Sequence, residues 1–107
     1  RDFIYIKDVI DVLYFMMRKK ASSAIYNLGT ANARTFYDLA VAVFFSLGKE
    51  IDISFIDTPE EIRDQYQYFT QAEMKKLRET GYDKSFYSLE DGINDYVNSY
   101  LITNKFL

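Results

Sequence analysis

Arg1-Asp2-Phe3-Ile4-Tyr5-Ile6-Lys7-Asp8-Val9 opens the chain, and its reading governs the rest. Residues 3–6 are aromatic or β-branched, types that suit an extended backbone, so they read as a short strand. Asp8 then offers a carboxylate to the free N–H groups of a first helical turn. The spacing predicts a helix from there to about Lys20. Val9, Val12, Leu13, Met16 and Met17 fall on one face of it, and Arg18, Lys19 and Lys20 suit its negative end. A strand feeding a helix is the start of an α/β unit.

The alternation continues downstream. Residues 24–28 read as a second strand ending at Gly29. A helix follows from Phe36 to about Leu47, burying Leu39, Ala40, Val43, Phe44 and Leu47, with Gly48 placed to stop it. Ile51, Ile53 and Phe55 alternate with Asp52 and Ser54, the pattern of a half-buried strand. A polar stretch from Pro59 to Gln67 leads into a helix ending at Gly81. The last helix begins near Leu89 and buries Ile93, Tyr96, Val97, Tyr100 and Leu101. Four helix starts pair a hydroxyl with an acid three residues on: Thr35 with Asp38, Thr58 with Glu61, Thr70 with Glu73, and Ser88 with Asp91. Pro59 fits a first helical position, where its missing N–H costs nothing.

The expected class is therefore α/β, with short strands and packed helices, in a single domain spanning 1–107. Three short strands make a thin sheet for so many apolar helical faces. The missing partner is expected elsewhere in a longer polypeptide, and the abrupt start at Arg1 points the same way. Ten Tyr and nine Phe imply many half-buried positions with a wet hydroxyl, as at a domain or subunit interface.

Composition removes several functions. A net charge of -3 argues against nucleic acid as the main partner, because a phosphate backbone calls for a basic face. With no cysteine there is no disulfide framework or thiolate chemistry, and with no histidine no His-based triad or imidazole ligand. The longest apolar stretch, residues 9–17, is broken by Asp11 and is too short to span a bilayer. No signal peptide is visible.

Motifs for redox chemistry are missing too. A dinucleotide site uses clustered glycines between a strand and a helix, whereas Gly29, Gly48, Gly81 and Gly92 are far apart. The Tyr-x-x-x-Lys pair of short-chain dehydrogenases is absent; Tyr14 with Arg18 fails in residue type, and Tyr100 with Lys105 in spacing. Glu60-Glu61 and Glu90-Asp91 read as acids favouring helix N-termini. Lys75, Lys76 and Arg78 read as a solvated face balanced by Glu79. No catalytic, metal-binding or cofactor-binding residue is assigned.

Three segments together carry a resemblance. Arg1 through Val9 resembles the RDFIYVxDV segment of extended short-chain dehydrogenases acting on nucleotide sugars, and Ile25-Tyr26-Asn27-Leu28-Gly29-Thr30 resembles their IYNLGTG turn. Tyr66-Gln67-Tyr68-Phe69-Thr70-Gln71-Ala72-Glu73, then Leu77-Arg78, then Gly81-Tyr82-Asp83-Lys84, is similar in order and spacing to the ADP-L-glycero-D-manno-heptose 6-epimerase family. The resemblance covers nearly the whole chain. It implies the C-terminal, substrate-side part of such an enzyme, with the N-terminal Rossmann cofactor domain absent.

The implied parent holds NADP and inverts C6 of an ADP-linked heptose for lipopolysaccharide inner-core synthesis. Hydride leaves C6 for the nicotinamide and returns to the opposite face of the transient carbonyl. The implied setting is cytoplasmic and homo-oligomeric, with the chain's own N-terminal domain as a partner, and without nucleic acid or membrane. No cofactor is expected on this chain alone.

Arg1 matches a family arginine expected at the substrate diphosphate, where its forked donors suit phosphate oxygens. Tyr66 matches the tyrosine of the nucleotide-sugar site. Arg63 is the remaining basic candidate, in an Arg63-Asp64-Gln65 run where the family has Lys-Gly-Arg. Ala31 stands where the family has glycine, so a positive φ in that turn would be strained. Residues 32–35 are assigned no contact. Two other readings remain: part of a different nucleotide-sugar epimerase, dehydratase or reductase, and a non-catalytic binding or oligomerisation module.

Overall fold

The structure, a computed structural model, describes residues 1–106. Five α-helices follow in chain order: α1 Ile6–Arg18, α2 Phe36–Ser46, α3 Glu60–Arg63, α4 Lys75–Glu79 and α5 Leu89–Tyr96. The last runs on into a wider π-helical turn, Val97–Leu101. Among the described residues there is no strand, which corrects the expected α/β class: the fold is helical with long extended connections.

The correction has a physical cause. A strand is stabilised only when a neighbour takes up its peptide groups. Tyr5 is extended, but Phe3 and Tyr5 meet the protein through their rings. Phe3 packs edge-on to Phe36 at 5.5 Å and Tyr5 edge-on to Tyr87 at 5.1 Å. Arg1 and Arg34 exchange backbone hydrogen bonds of 2.7 Å in both directions, a single ladder rung that goes no further. Around residues 24–28 the contacts run between side chain and backbone: Lys76 donates to the Ile25 carbonyl, and the Asn27 side-chain amide donates to the Glu73 carbonyl. Residues 50–57 form no backbone pair with another segment among the described residues. Phe55 there is 81 % exposed and stacks on Tyr37.

Local helix signals fare better. Thr35 and Asp38 form a reciprocal capping box on α2, and the Ser88 hydroxyl accepts from the Asp91 N–H at the start of α5. Gly48 and Gly81 both take positive φ just beyond helix ends. Three starts differ. α1 begins at Ile6 with Tyr5 as its cap, because Asp8 turns inward to accept the Tyr87 N–H at 2.9 Å. Pro59, with Thr58 before it, is itself the cap of α3, which is one turn long. Thr70 starts no helix: α4 begins five residues later, and the Thr70 hydroxyl accepts from Arg1 instead.

Val12, Met74, Leu77 and Tyr82 form the main core, with Phe15, Met16, Leu28, Ala72 and Phe86 around it. Phe15 meets Tyr82 edge-on at 5.2 Å, which ties α1 to the segment after α4. A second contact layer joins α2 to α5 and the π turn, burying Ala42 and Val97. Gly92 of α5 lies close enough to Tyr5 that a Cβ would sit 3.3 Å from that side chain. Not every expected core position is buried. Leu13 and Met17 of α1 are exposed, as are Leu47, Tyr96 and Leu101. Ile6, Ile10, Leu13, Tyr14 and Met17 make an exposed apolar stripe along α1 at helical spacing.

The molecule is a slab of 47 × 40 × 19 Å. Its radius of gyration of 16.6 Å exceeds the roughly 13 Å of a compact chain of this length. No helix of the described residues is long and apolar enough to cross a membrane.

Candidate functional site

The Asp2 carboxylate organises the site. It accepts from the Thr30 N–H at 2.7 Å and the Thr30 hydroxyl, from the Ala31 N–H at 2.9 Å, and from the Ala72 N–H at 3.0 Å. Three remote segments, 1–2, 29–31 and 70–72, are thus joined at one charged group. Burial works to raise the Asp2 pKa, but donation from Thr30, Ala72 and Ala31 outweighs it and holds the carboxyl below its usual range. Gly29 permits the close approach, since a Cβ there would lie 2.5 Å from an Asp2 oxygen and 2.6 Å from the Ala72 Cβ. Ala31 carries φ of 59°, so the turn does impose the left-handed backbone that a side chain resists.

That junction sets Arg1 against residues 66–70. One guanidinium nitrogen, Nη1, donates to Gln67 Oε1 at 3.1 Å and to the Thr70 hydroxyl. The Arg1 guanidinium carbon also stands 5.7 Å from the centroid of the Tyr66 ring, and Tyr66 meets Tyr68 edge-on at 5.0 Å. Arg1, Ala33, Arg34, Thr35, Tyr66 and Phe69 are among the residues lining a cleft of about 260 Å³ here.

The two arginines of this cleft differ in availability. Arg34 pairs with Glu90 through Nη1 and Nη2 and with Asp38 through Nε. The hydrogen bond to Glu90, then that to Asp38, raises the Arg34 pKa; Arg34 in turn lowers that of Glu90, while the Thr35 N–H first and Arg34 second lower that of Asp38. Arg1 has no carboxylate partner among the described residues, and its Nε and Nη2 donate to none of them. Arg1 therefore supplies the cleft's available positive charge.

Of the three residues singled out from sequence, Arg1 and Tyr66 come together, and Arg63 does not join them. Arg63 ends the short helix α3, is exposed, and donates to the Thr58 carbonyl at 2.9 Å within its own segment. Arg34, Tyr68 and Phe69 line the cleft without having been singled out, and Gln67 and Thr70 fix Arg1. Arg34 had one readable local sign, its position four residues before Asp38. Gln67 and Thr70 gave none beyond their place beside Tyr66.

Tyr5 and Lys7 are a second cluster. Both donate to the Asp95 carboxylate at 2.6 Å, and Lys7 lies 5.1 Å from the Tyr100 ring centroid. Burial, then the Asp95 contact, raises the Tyr5 pKa; the hydrogen bond to Asp95 is the main cause that raises that of Lys7. The cluster ties the start of α1 to α5.

The chain's glycines do not form a dinucleotide cradle. Gly29 lies against Asp2 and Ala72, Gly48 and Gly81 follow helix ends, and Gly92 lies inside α5 against Tyr5. None follows a strand to open a helix, so these glycines do not form the pyrophosphate turn of a dinucleotide fold.

Guanidinium donors without a carboxylate partner, set beside an aromatic ring, are chemically suited to an oxyanion. No family model matches the chain. It is similar to curated relatives named ADP-L-glycero-D-manno-heptose-6-epimerase. The one from Fusobacterium nucleatum subsp. nucleatum is 47 % identical over 107 residues, covering 94 % of this chain and 32 % of the relative. That from Nitratidesulfovibrio vulgaris (strain DP4) is 45 % identical over 101 residues, covering 94 % and 31 %. That from Brachyspira hyodysenteriae is 42 % identical over 96 residues, covering 90 % and 30 %. The chain is thus a homologue of ADP-L-glycero-D-manno-heptose-6-epimerases across nearly all of its sequence, and it spans about a third of their length.

Proposed function

We propose that this chain is the substrate-side, C-terminal part of an NADP-dependent ADP-L-glycero-D-manno-heptose 6-epimerase, and that its cleft grips the diphosphate of the ADP-linked heptose. The observation that carries the proposal is the identity of 42–47 % to epimerases over 90–94 % of the chain. Arg1 and Tyr66 support it by meeting at one cleft, where the Arg1 guanidinium stands beside the Tyr66 ring without a carboxylate partner among the described residues.

Within this reading the chain supplies anchorage and the rest of the parent supplies the redox chemistry. NADP belongs to the parent's Rossmann domain, since the described residues make no cradle for it. The fork of Arg1 holds the diphosphate while the heptose end reorients, so that inversion at C6 proceeds without release of the nucleotide. The exposed stripe on α1 is suited to packing on that other domain. A homo-oligomeric, cytoplasmic enzyme of lipopolysaccharide inner-core synthesis completes the proposal.

The test is conversion of ADP-D-glycero-D-manno-heptose by the full-length polypeptide carrying this sequence, followed by separation of the two C6 epimers. Accumulation of the L-glycero epimer supports the assignment. Absence of conversion by a folded, NADP-loaded polypeptide overturns it.

A further inference from the structure

A guanidinium has five N–H donors, two on each Nη and one on Nε. In Arg1 the two donors of Nη1 are engaged, one by Gln67 Oε1 and one by the Thr70 hydroxyl. Nε and Nη2 meet no acceptor among the described residues. These two nitrogens form one edge of the fork, and that edge can present parallel donors to two oxygens of a phosphate. Rotation about the long arginine side chain would normally be costly to freeze on ligand binding. Two acceptors on the opposite nitrogen remove that freedom in advance, and the Tyr66 ring bounds the guanidinium at 5.7 Å.

Both acceptors sit on an irregular segment, and neither is explained by the fold. Thr70 caps no helix, and both residues are exposed, so their contacts add little to the core. Asp2 secures the two ends of the arrangement, since it belongs to the same backbone as Arg1 and bonds the Ala72 N–H two residues after Thr70.

We propose that Gln67 and Thr70 are positioning residues for Arg1: by occupying Nη1 they turn the Nε–Nη2 edge to the diphosphate of the nucleotide-sugar ligand. This rests on the proposed diphosphate role of the cleft and adds the residues that orient its cation.

The experiment uses the full-length polypeptide, with ADP binding by calorimetry and epimerisation kinetics as readouts. Thr70→Val removes the hydroxyl at nearly constant shape, and Thr70→Ser restores it. The expected result for Thr70→Val is a rise of about tenfold in ADP dissociation constant and in KM, with kcat changed less than about twofold. Thr70→Ser should return both constants to the wild-type range, and Gln67→Ala should weaken ADP in the same sense. In an Arg1→Ala background, Thr70→Val should have no further effect, because the group it orients is gone. Wild-type ADP affinity in Thr70→Val overturns the proposal, as does a full additional loss in the Arg1→Ala background. If Arg1→Ala itself binds ADP normally, the diphosphate reading fails first and the positioning role falls with it.

Discussion

The Arg1 guanidinium carbon lies 5.7 Å from the centroid of the Tyr66 ring, although the two residues are far apart in sequence. The contact places a cation lacking a carboxylate partner against an aromatic face, at a cleft whose other arginine is already neutralised by Asp38 and Glu90. An anion entering there would meet one available charge.

Arg1→Ala in the full-length polypeptide should therefore weaken ADP binding by about tenfold or more at physiological salt. Arg1→Lys keeps the charge but loses the planar fork, and should fall between the two. Calorimetry at two ionic strengths checks this. A dissociation constant that is unchanged in Arg1→Ala would remove Arg1 from the site.

Ala31 pays a steric cost for its φ of 59°, because its Cβ crowds the following carbonyl oxygen. Ala31→Gly relieves the crowding and leaves the N–H that donates to Asp2. The variant should gain about 1 kcal/mol, somewhat offset by the greater freedom of glycine in the unfolded chain. A higher urea midpoint at unchanged slope is the expected reading; a lower midpoint would show that the turn does not hold this conformation.

Asp2 makes stability depend on acid. Burial opposes ionisation, but the bonds from Thr30, Ala72 and Ala31 win, so the folded carboxyl sits below its ordinary 3.8. The unfolded chain therefore takes up the proton first as pH falls. The contribution of Asp2 is fully present above the ordinary value and is lost as pH drops through the lowered one. Asp2→Asn should cost about 2 kcal/mol at pH 7 and flatten the acid limb of a stability–pH curve. An identical acid limb in the variant would contradict this.

Asp8 carries the opposite sign. It is 3 % exposed, and burial raises its pKa against the Tyr87 N–H, with Asp11 adding like charge and Lys84 opposing. The folded carboxyl binds its proton more readily than the unfolded one. Its contribution is fully present below the unfolded value and is lost as pH rises through the folded one. Asp8→Asn keeps an oxygen for Tyr87 and removes the buried charge. The variant should be more stable at pH 7 by about 1 kcal/mol, with the gain shrinking towards pH 4. Destabilisation at pH 7 would mean that the ionised form is the one the fold uses.

What could be read directly from the residues was local chemistry and kinship. The Thr35 and Ser88 caps and the glycine stops at 48 and 81 depend on groups within a few positions of one another, so residue types at fixed spacing suffice. The resemblance placed a family glycine at Ala31 and so raised the question of a positive φ there, which the backbone does adopt. The same segments around Arg1, Tyr66 and Asp83 marked the likeness to the epimerases before any geometry was known.

Tertiary structure decided the rest, because it depends on groups brought together from far apart. Residues 3–6, 24–28 and 51–55 have strand-like composition, yet a strand forms only against a partner, and these meet side chains and solvent instead. Asp8 and Thr70 have the right spacing to cap helices, but each bonds a group far along the chain, Tyr87 for one and Arg1 for the other. The Asp2 junction joins residues 28 and 70 positions away, and Arg1 reaches Thr70 across 69. Spacing along the chain carries no record of such meetings. They are settled when burial of the core fixes which backbone passes beside which charge.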